Sequence, residues 1–179
     1  MTSTERKRVL DQFVVSEAQL VQLVEGLTPE QLAFRPSPES WSIAEVVEHV
    51  LAVESRLVRA IGKMAPQPSA RTERPDPAAK DEALWKDVPN RATKLTAPEP
   101  VRPTGKFTIS VEITTHFKSQ RQDTIRFVEE VDADLRGHVI PHIAFGDIDL
   151  YQWLIVLSQH GSRHAQQIEE IKAAPAFPR

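Results

Sequence analysis

Two imidazoles separated by three residues, in His160-Gly161-Ser162-Arg163-His164, are the part of this sequence best suited to chemistry. On a helix, at 100° per residue, they lie about 40° apart on one face, where both can bind a single metal ion. The segment sits inside a largely apolar run from Leu150 to Ile171 and shares its stripe with Trp153, Val156, Leu157, Gln167 and Ile171, so it is expected to point inward. A buried imidazole must satisfy both nitrogens or lose roughly 1–3 kcal/mol to desolvation. One histidine commonly does this by bonding to a carbonyl. Two, one turn apart, are served more simply by a cation that takes one nitrogen of each and leaves the others to nearby acceptors. The spacing by itself is compatible with either arrangement. His49 is the candidate third donor, because the shoulder of a second apolar stripe lets it project between helices; the same position also lets it rest in solvent beside Glu45 and Arg56. His116, His138 and His142 read as surface or capping residues, and His142 matters most of these because its segment leads into the helix bearing His160.

Other catalytic patterns do not fit. A zincin places its general base directly after the first histidine, where this chain has Gly161, a residue suited instead to the close approach of a neighbouring helix. Ferritin-like di-iron sites use Glu-x-x-His pairs, but Glu45 precedes His49 by four residues. There is no glycine-rich phosphate loop and no cysteine nucleophile. Ser158 and Ser162 lack the strained elbow that a serine nucleophile needs, and are expected to face a helix neighbour or bond back to a carbonyl. No catalytic residue is assigned from the sequence; Glu45 and Glu112 are the carboxylates that tertiary contacts could bring to the site.

The frame that must position these residues is helical. A chain of 179 residues, 40% hydrophobic and 26% charged, is of a size to form one domain with a real core. Its net charge of −3 and lack of a basic block give no footing for phosphate neutralisation, so nucleic acid is not an expected partner. No apolar run approaches a membrane span and the N-terminus has no signal-peptide core. With zero cysteines, disulfides and thiolate ligands are both excluded, which fits a cytoplasmic protein.

The periodicity predicts a first helix over residues 4–25, with Val9, Phe13, Leu20 and Val24 among its apolar positions, and a short turn of helix capped by Thr28. A second long helix opens at Ser42, whose capping box is completed by Glu45 and whose Trp41 staples onto Val46. Residues 63–107 hold eight of the fourteen prolines, so no long helix crosses them; a short helix over 79–88 bearing Trp85 interrupts an extended connection. A third helix spans 110–134, closed by Gly137, and Pro141 to Gly146 form a loop without hairpin signals. Asp149 and Gln152 then cap a fourth helix that runs to about Ala173 before Pro175. The expected fold is all-α: a four-helix bundle, one domain over residues 1–179, with a proline-rich crossover between parallel second and third helices.

The stretch Trp41-Ser42-Ile43-Ala44-Glu45-Val46-Val47-Glu48-His49-Val50 resembles the second-helix signature of DinB-like proteins, which include the YfiT-type metal-dependent hydrolases. Phe145-Gly146-Asp147-Ile148, then Trp153-Leu154 and His160-x-x-x-His164-x-x-Gln167-Ile168, resemble their loop and fourth helix, so the likeness covers nearly the whole chain. It implies a four-helix bundle with a divalent metal, commonly nickel or zinc, bound by His49, His160 and His164. Three neutral imidazoles leave coordination positions for water or substrate, as a catalytic site requires. The resemblance further implies a thiol-dependent S-transferase or a hydrolase acting on a small molecule, possible use of a low-molecular-weight thiol, and homodimerisation. Gln167, three residues after His164, is placed to support that ligand. Arg163 departs from the family, many members of which have a further histidine there. The competing reading is a non-catalytic bundle that binds a small ligand or partner, its histidines structural.

Overall fold

Thr28, Ser42 and Asp149 each accept the backbone N–H three residues on, at 3.2, 3.3 and 2.7 Å, and Gln31, Glu45 and Gln152 return a bond to the cap's own N–H. Local sequence thus fixes where the helices begin. In the computed structural model, which describes residues 1–69, 76–92 and 95–179, the elements are α1 (Ser3–Val24), α2 (Pro29–Ala33), α3 (Ile43–Met64), α4 (Ala78–Asp87), α5 (Ser110–Glu130), β1 (Val139–His142), β2 (Gly146–Asp149) and α6 (Leu150–Lys172). The long helices α1, α3, α5 and α6 make the four-helix bundle. Among the described residues no helix is long and apolar enough to cross a membrane.

Contacts along the helices give their directions. Gly161 of α6 lies against Ser16 of α1 and Lys172 reaches the Leu23 carbonyl, so the first and last helices run parallel. Gln120 of α5 donates to the Leu51 carbonyl of α3, Arg121 pairs with Glu54 and Phe127 abuts Gly62, so these two are parallel as well. The connection from α3 to α5 is therefore the expected crossover. It is docked on the bundle: Leu84 of α4 and Val88 are buried in one apolar cluster with Val9, Ile61, Val128 and Leu154. Residues 70–75 and 93–94 of the proline-rich connection lie outside the described residues.

A second apolar cluster, including Leu20, Val46, Ile113, Phe117 and Ile168, fills the other end. Near the middle of the bundle sits a polar layer. Arg121, fully buried, makes a two-pronged pair with Glu54 at 3.1 and 2.8 Å, donates to the Phe13 carbonyl and Ser16 Oγ, and has its guanidinium over the rings of Phe13 and Phe117. The close approach expected at Gly161 occurs here: a Cβ on that residue would lie 2.9 Å from Ser16 Cβ. Ser158 bonds back to the Ile155 carbonyl and Ser162 faces Gln12 and Gln19 of α1, as read from the sequence.

Three expectations need correction. The segment read as a loop is an antiparallel hairpin, Val139 pairing with Asp149 and His142 with Gly146; four-residue strands are too short to show an alternating pattern, and Gly146 supplies the left-handed turn at φ +64°. The third helix ends at Glu130, not Asp134, and Gly137 closes a separate 3-10 turn, Leu135–Gly137. His138 is buried rather than at the surface, its Nε2 bonded to the Gln67 carbonyl. His116 is exposed, as expected.

Candidate metal centre

His49 stands on the seventh residue of α3, and His160 and His164 lie in the second half of α6, which packs antiparallel against it. The three rings converge. Their centroids are 5.2 Å apart for His49 and His160, 5.0 Å for His49 and His164, and 4.3 Å for His160 and His164. One ring nitrogen from each lies within 4.8 Å of the others, and among the described residues this is the one such group of potential ligands. The shoulder position of His49 therefore projects between helices, where Trp41 covers it at 4.8 Å, and is not solvated.

Hydrogen bonding sets which nitrogens face one another. His49 donates through Nδ1 to the Val101 carbonyl at 2.7 Å, leaving its Nε2 as the lone pair. His164 donates through Nδ1 to Gln167 Oε1 at 2.8 Å, so Gln167 supports that ligand as expected, and Nε2 is again free to accept. The Nε2 atoms of His160 and His164 are 3.0 Å apart. With the His164 tautomer fixed, His160 is the donor of that pair and becomes a ligand by shifting its proton to Nδ1.

These features test the fit of a metal. Bonds of about 2.0–2.1 Å at tetrahedral angles place donor nitrogens roughly 3.3 Å apart, close to the His160–His164 separation and within a side-chain rotation of the rest. Burial pushes His164 down to about 3 and His160 well below its ordinary value, and lowers His49 against the opposing pull of its bond to Val101. All three are neutral at pH 7, the form in which imidazole binds metals. The donor set fits a divalent cation and leaves at least one position toward the cleft.

The cleft has a volume of about 1330 Å³. It runs from the three imidazoles along Val53 and Leu57 of α3 and Val156 and Trp153 of α6, with the hairpin turn at the far end and the crossover along its side. Arg91 ties the crossover to α6 through Glu170 at 2.7 Å and Gln167 at 3.4 Å. Arg163, where a further histidine was absent from the motif, bonds the Val88 and Asn90 carbonyls instead of reaching the rings. The carboxylates considered from the sequence are not at the site. Glu45 is engaged by Arg35 and the Ser42 N–H, and Glu112 is not in the cleft wall. Two contributors had no sequence signal: the Val101 carbonyl, since any residue supplies one, and Glu48. The Glu48 carboxylate accepts from the Thr104 hydroxyl and the backbone N–H groups of Thr104, Gly105 and Lys106, at 2.6 to 3.3 Å, and so holds the crossover beside His49.

Comparison with known proteins agrees with this architecture. A family model described as the DinB superfamily matches residues 12–168. The chain is 26% identical over 152 residues to the uncharacterized protein YuaE of Bacillus subtilis (strain 168), covering 83% of this chain and 88% of that one. In fold it is similar to YfiT from Bacillus subtilis, described as a probable metal-dependent hydrolase with an unusual four-helix bundle topology, with a TM-score of 0.65 at 14% identity over 99% of this chain and 91% of that one.

Proposed function

The chain belongs to the DinB superfamily, and from that premise we propose that it is a divalent-metal-dependent enzyme acting on a small molecule, with His49, His160 and His164 as the ligands. The observation that carries this reading is the convergence of three neutral imidazoles, two of which have Nδ1 occupied by acceptors and Nε2 turned to a common point. Nickel or zinc suits such an all-nitrogen set. A cation held there supplies Lewis acidity, lowering the pKa of a coordinated thiol or water.

The chain's own residues bind and orient. Val101 and Gln167 hold the ligand rings in the ligating tautomer, and Trp41, Val53 and Val156 keep bulk water from the rim. The acidic groups in the cleft wall are Glu39, Asp87 and Glu170; Glu170 is engaged by Arg91, and the imidazoles bond only to the Val101 carbonyl, Gln167 and one another among the described residues. With no carboxylate among the described residues held against the imidazoles as general base, S-transfer from a low-molecular-weight thiol is favoured over hydrolysis, because a thiol ionises far more readily than water.

Metal analysis of the purified protein tests the reading. One equivalent of nickel or zinc is expected, lost in His160→Ala, together with conjugation of a thiol to an electrophile that stops on chelation. Protein that binds neither metal when supplied with them, and whose stability is unchanged in His160→Ala, would leave a ligand-binding bundle with structural histidines.

A further inference from the structure

At the end of the cleft away from the imidazoles, two polar groups have no partner among the described residues. Arg56 lies seven residues beyond His49 on α3, two turns along the same face and about 10 Å along the helix axis. Its side chain lines the cleft, yet no described residue forms a hydrogen bond or ion pair with it. Arg91 and Arg163, also in the wall, are by contrast both engaged.

His142 lines the same end, from the hairpin turn. Its ring packs at 4.9 Å on Trp153, which precedes His160 by seven residues, so both helices place this level the same distance from the imidazoles. The backbone N–H groups of Ala144 and Phe145 donate to His142 Nδ1 at 3.0 and 3.3 Å. An accepting Nδ1 leaves the proton on Nε2, and among the described residues nothing accepts from that N–H. Lys80, bonded to the Phe145 carbonyl at 2.6 Å, adds positive potential behind the turn. Between the two ends the faces that α3 and α6 turn to the cleft are apolar, with Val53 and Leu57 on one and Val156 and Trp153 on the other, while the crossover side adds Asp87 and Asn90.

We infer that the Arg56 guanidinium and the His142 Nε2–H form an anion subsite at the far end of the cleft. Resting on the metal-site reading above, this defines the substrate class: a molecule whose carboxylate or similar anion is joined, through an apolar segment spanning roughly 10 Å, to the atom bound at the imidazoles. A guanidinium and a neutral N–H together suit a planar carboxylate, and the apolar wall favours a hydrocarbon spacer over a polar one. Burial and the Lys80 charge lower His142 to about 4, so at pH 7 it acts as a neutral donor and the charge of the subsite comes from Arg56.

The test uses the full chain loaded with cobalt(II), titrated with ω-mercaptooctanoate and mercaptooctanol, and read by the sulfur-to-cobalt charge-transfer absorption. Mercaptooctanoate is expected to bind about tenfold tighter than the alcohol, the worth of one charge-assisted hydrogen bond. Arg56→Gln, at an exposed position that does not threaten the fold, is expected to erase the difference; Arg56→Lys keeps part of it and His142→Phe reduces it. The shorter pair, mercaptopropionate and mercaptopropanol, is too short to span the cleft and should differ little. Equal affinities for the two long thiols, a preference that survives Arg56→Gln, or an equal preference in the short pair would each overturn the subsite while leaving the metal site standing. Failure of cobalt to bind overturns the metal reading, and the subsite with it.

Discussion

His49 Nδ1 lies 2.7 Å from the carbonyl oxygen of Val101, a residue 52 positions later in the chain. A ligand borne by α3 is thus oriented by the crossover, and Glu48 next to it in sequence grips that same crossover at Thr104, Gly105 and Lys106. Burial alone would raise the Glu48 carboxyl; the four hydrogen bonds outweigh this and hold it below the usual range, which marks them as effective ones.

Glu48→Ala is therefore expected to release residues 104–106, free the Val101 carbonyl to drift from His49, and weaken metal binding by about 10- to 100-fold, the usual effect of losing a group that orients a ligand. Competition with a chromophoric chelator measures this, and circular dichroism should show the helices intact. Affinity equal to that of the parent would mean that His49 is oriented by packing alone.

Gln167 does for His164 what Val101 does for His49. Gln167→Leu removes the acceptor and should lower metal affinity by a similar factor of about 10 to 100, whereas Gln167→Glu supplies a stronger acceptor to the Nδ1–H and should tighten binding. Opposite signs in the two variants distinguish ligand orientation from a general loss of packing, which would weaken both.

Removing Arg121 leaves Glu54 as a buried charge without its partner. Arg121→Met is expected to cost about 3–5 kcal/mol in urea unfolding, and the joint replacement Arg121→Met with Glu54→Leu should return much of that, because the remaining charge goes too. A double variant no better than the single one would show that the bonds from Arg121 to Phe13 and Ser16 matter more than the ion pair.

His142 gives a pH dependence whose sign follows from its environment. Burial and Lys80 bring it to about 4 in the folded protein, while the unfolded chain takes up a proton near 6.5. Between these values the unfolded state binds more protons, so the stability from this residue is complete above pH 6.5 and is lost as pH falls toward 4. Urea midpoints measured from pH 7 to 4 should fall more steeply in the parent than in His142→Phe. Parallel curves would refute the assignment.

Much of the frame was legible because local rules decide it. The capping boxes at Thr28, Ser42 and Asp149 lie where three-residue spacing put them, and the apolar stripe of α3 faces the core it was expected to face. His160 and His164 were readable because both stand on one helix face, and Gln167 because it follows one turn later. The projection of His49 toward them was left open by periodicity, since a shoulder position is resolved only by the neighbouring helix. What remained hidden depends on long-range pairing. Arg121 and Glu54 look like ordinary surface charges until α5 lies alongside α3. His138 finds the Gln67 carbonyl from the crossover, and the hairpin is too short to announce itself.

The fully enclosed Arg121–Glu54 contact also works as an index mark for the bundle. If α5 slid one turn along α3, by about 5.4 Å, two ionised groups would be stranded among aliphatic side chains with no water to receive them. Arg121 grips α1 as well, and Gly161 meets α1 at the same level, so the longitudinal setting of α3 is passed across the bundle to α6. The ring on residue 49 and the pair at 160 and 164 thereby arrive level with each other, their own edge-on packing adding to a register already set elsewhere in the bundle.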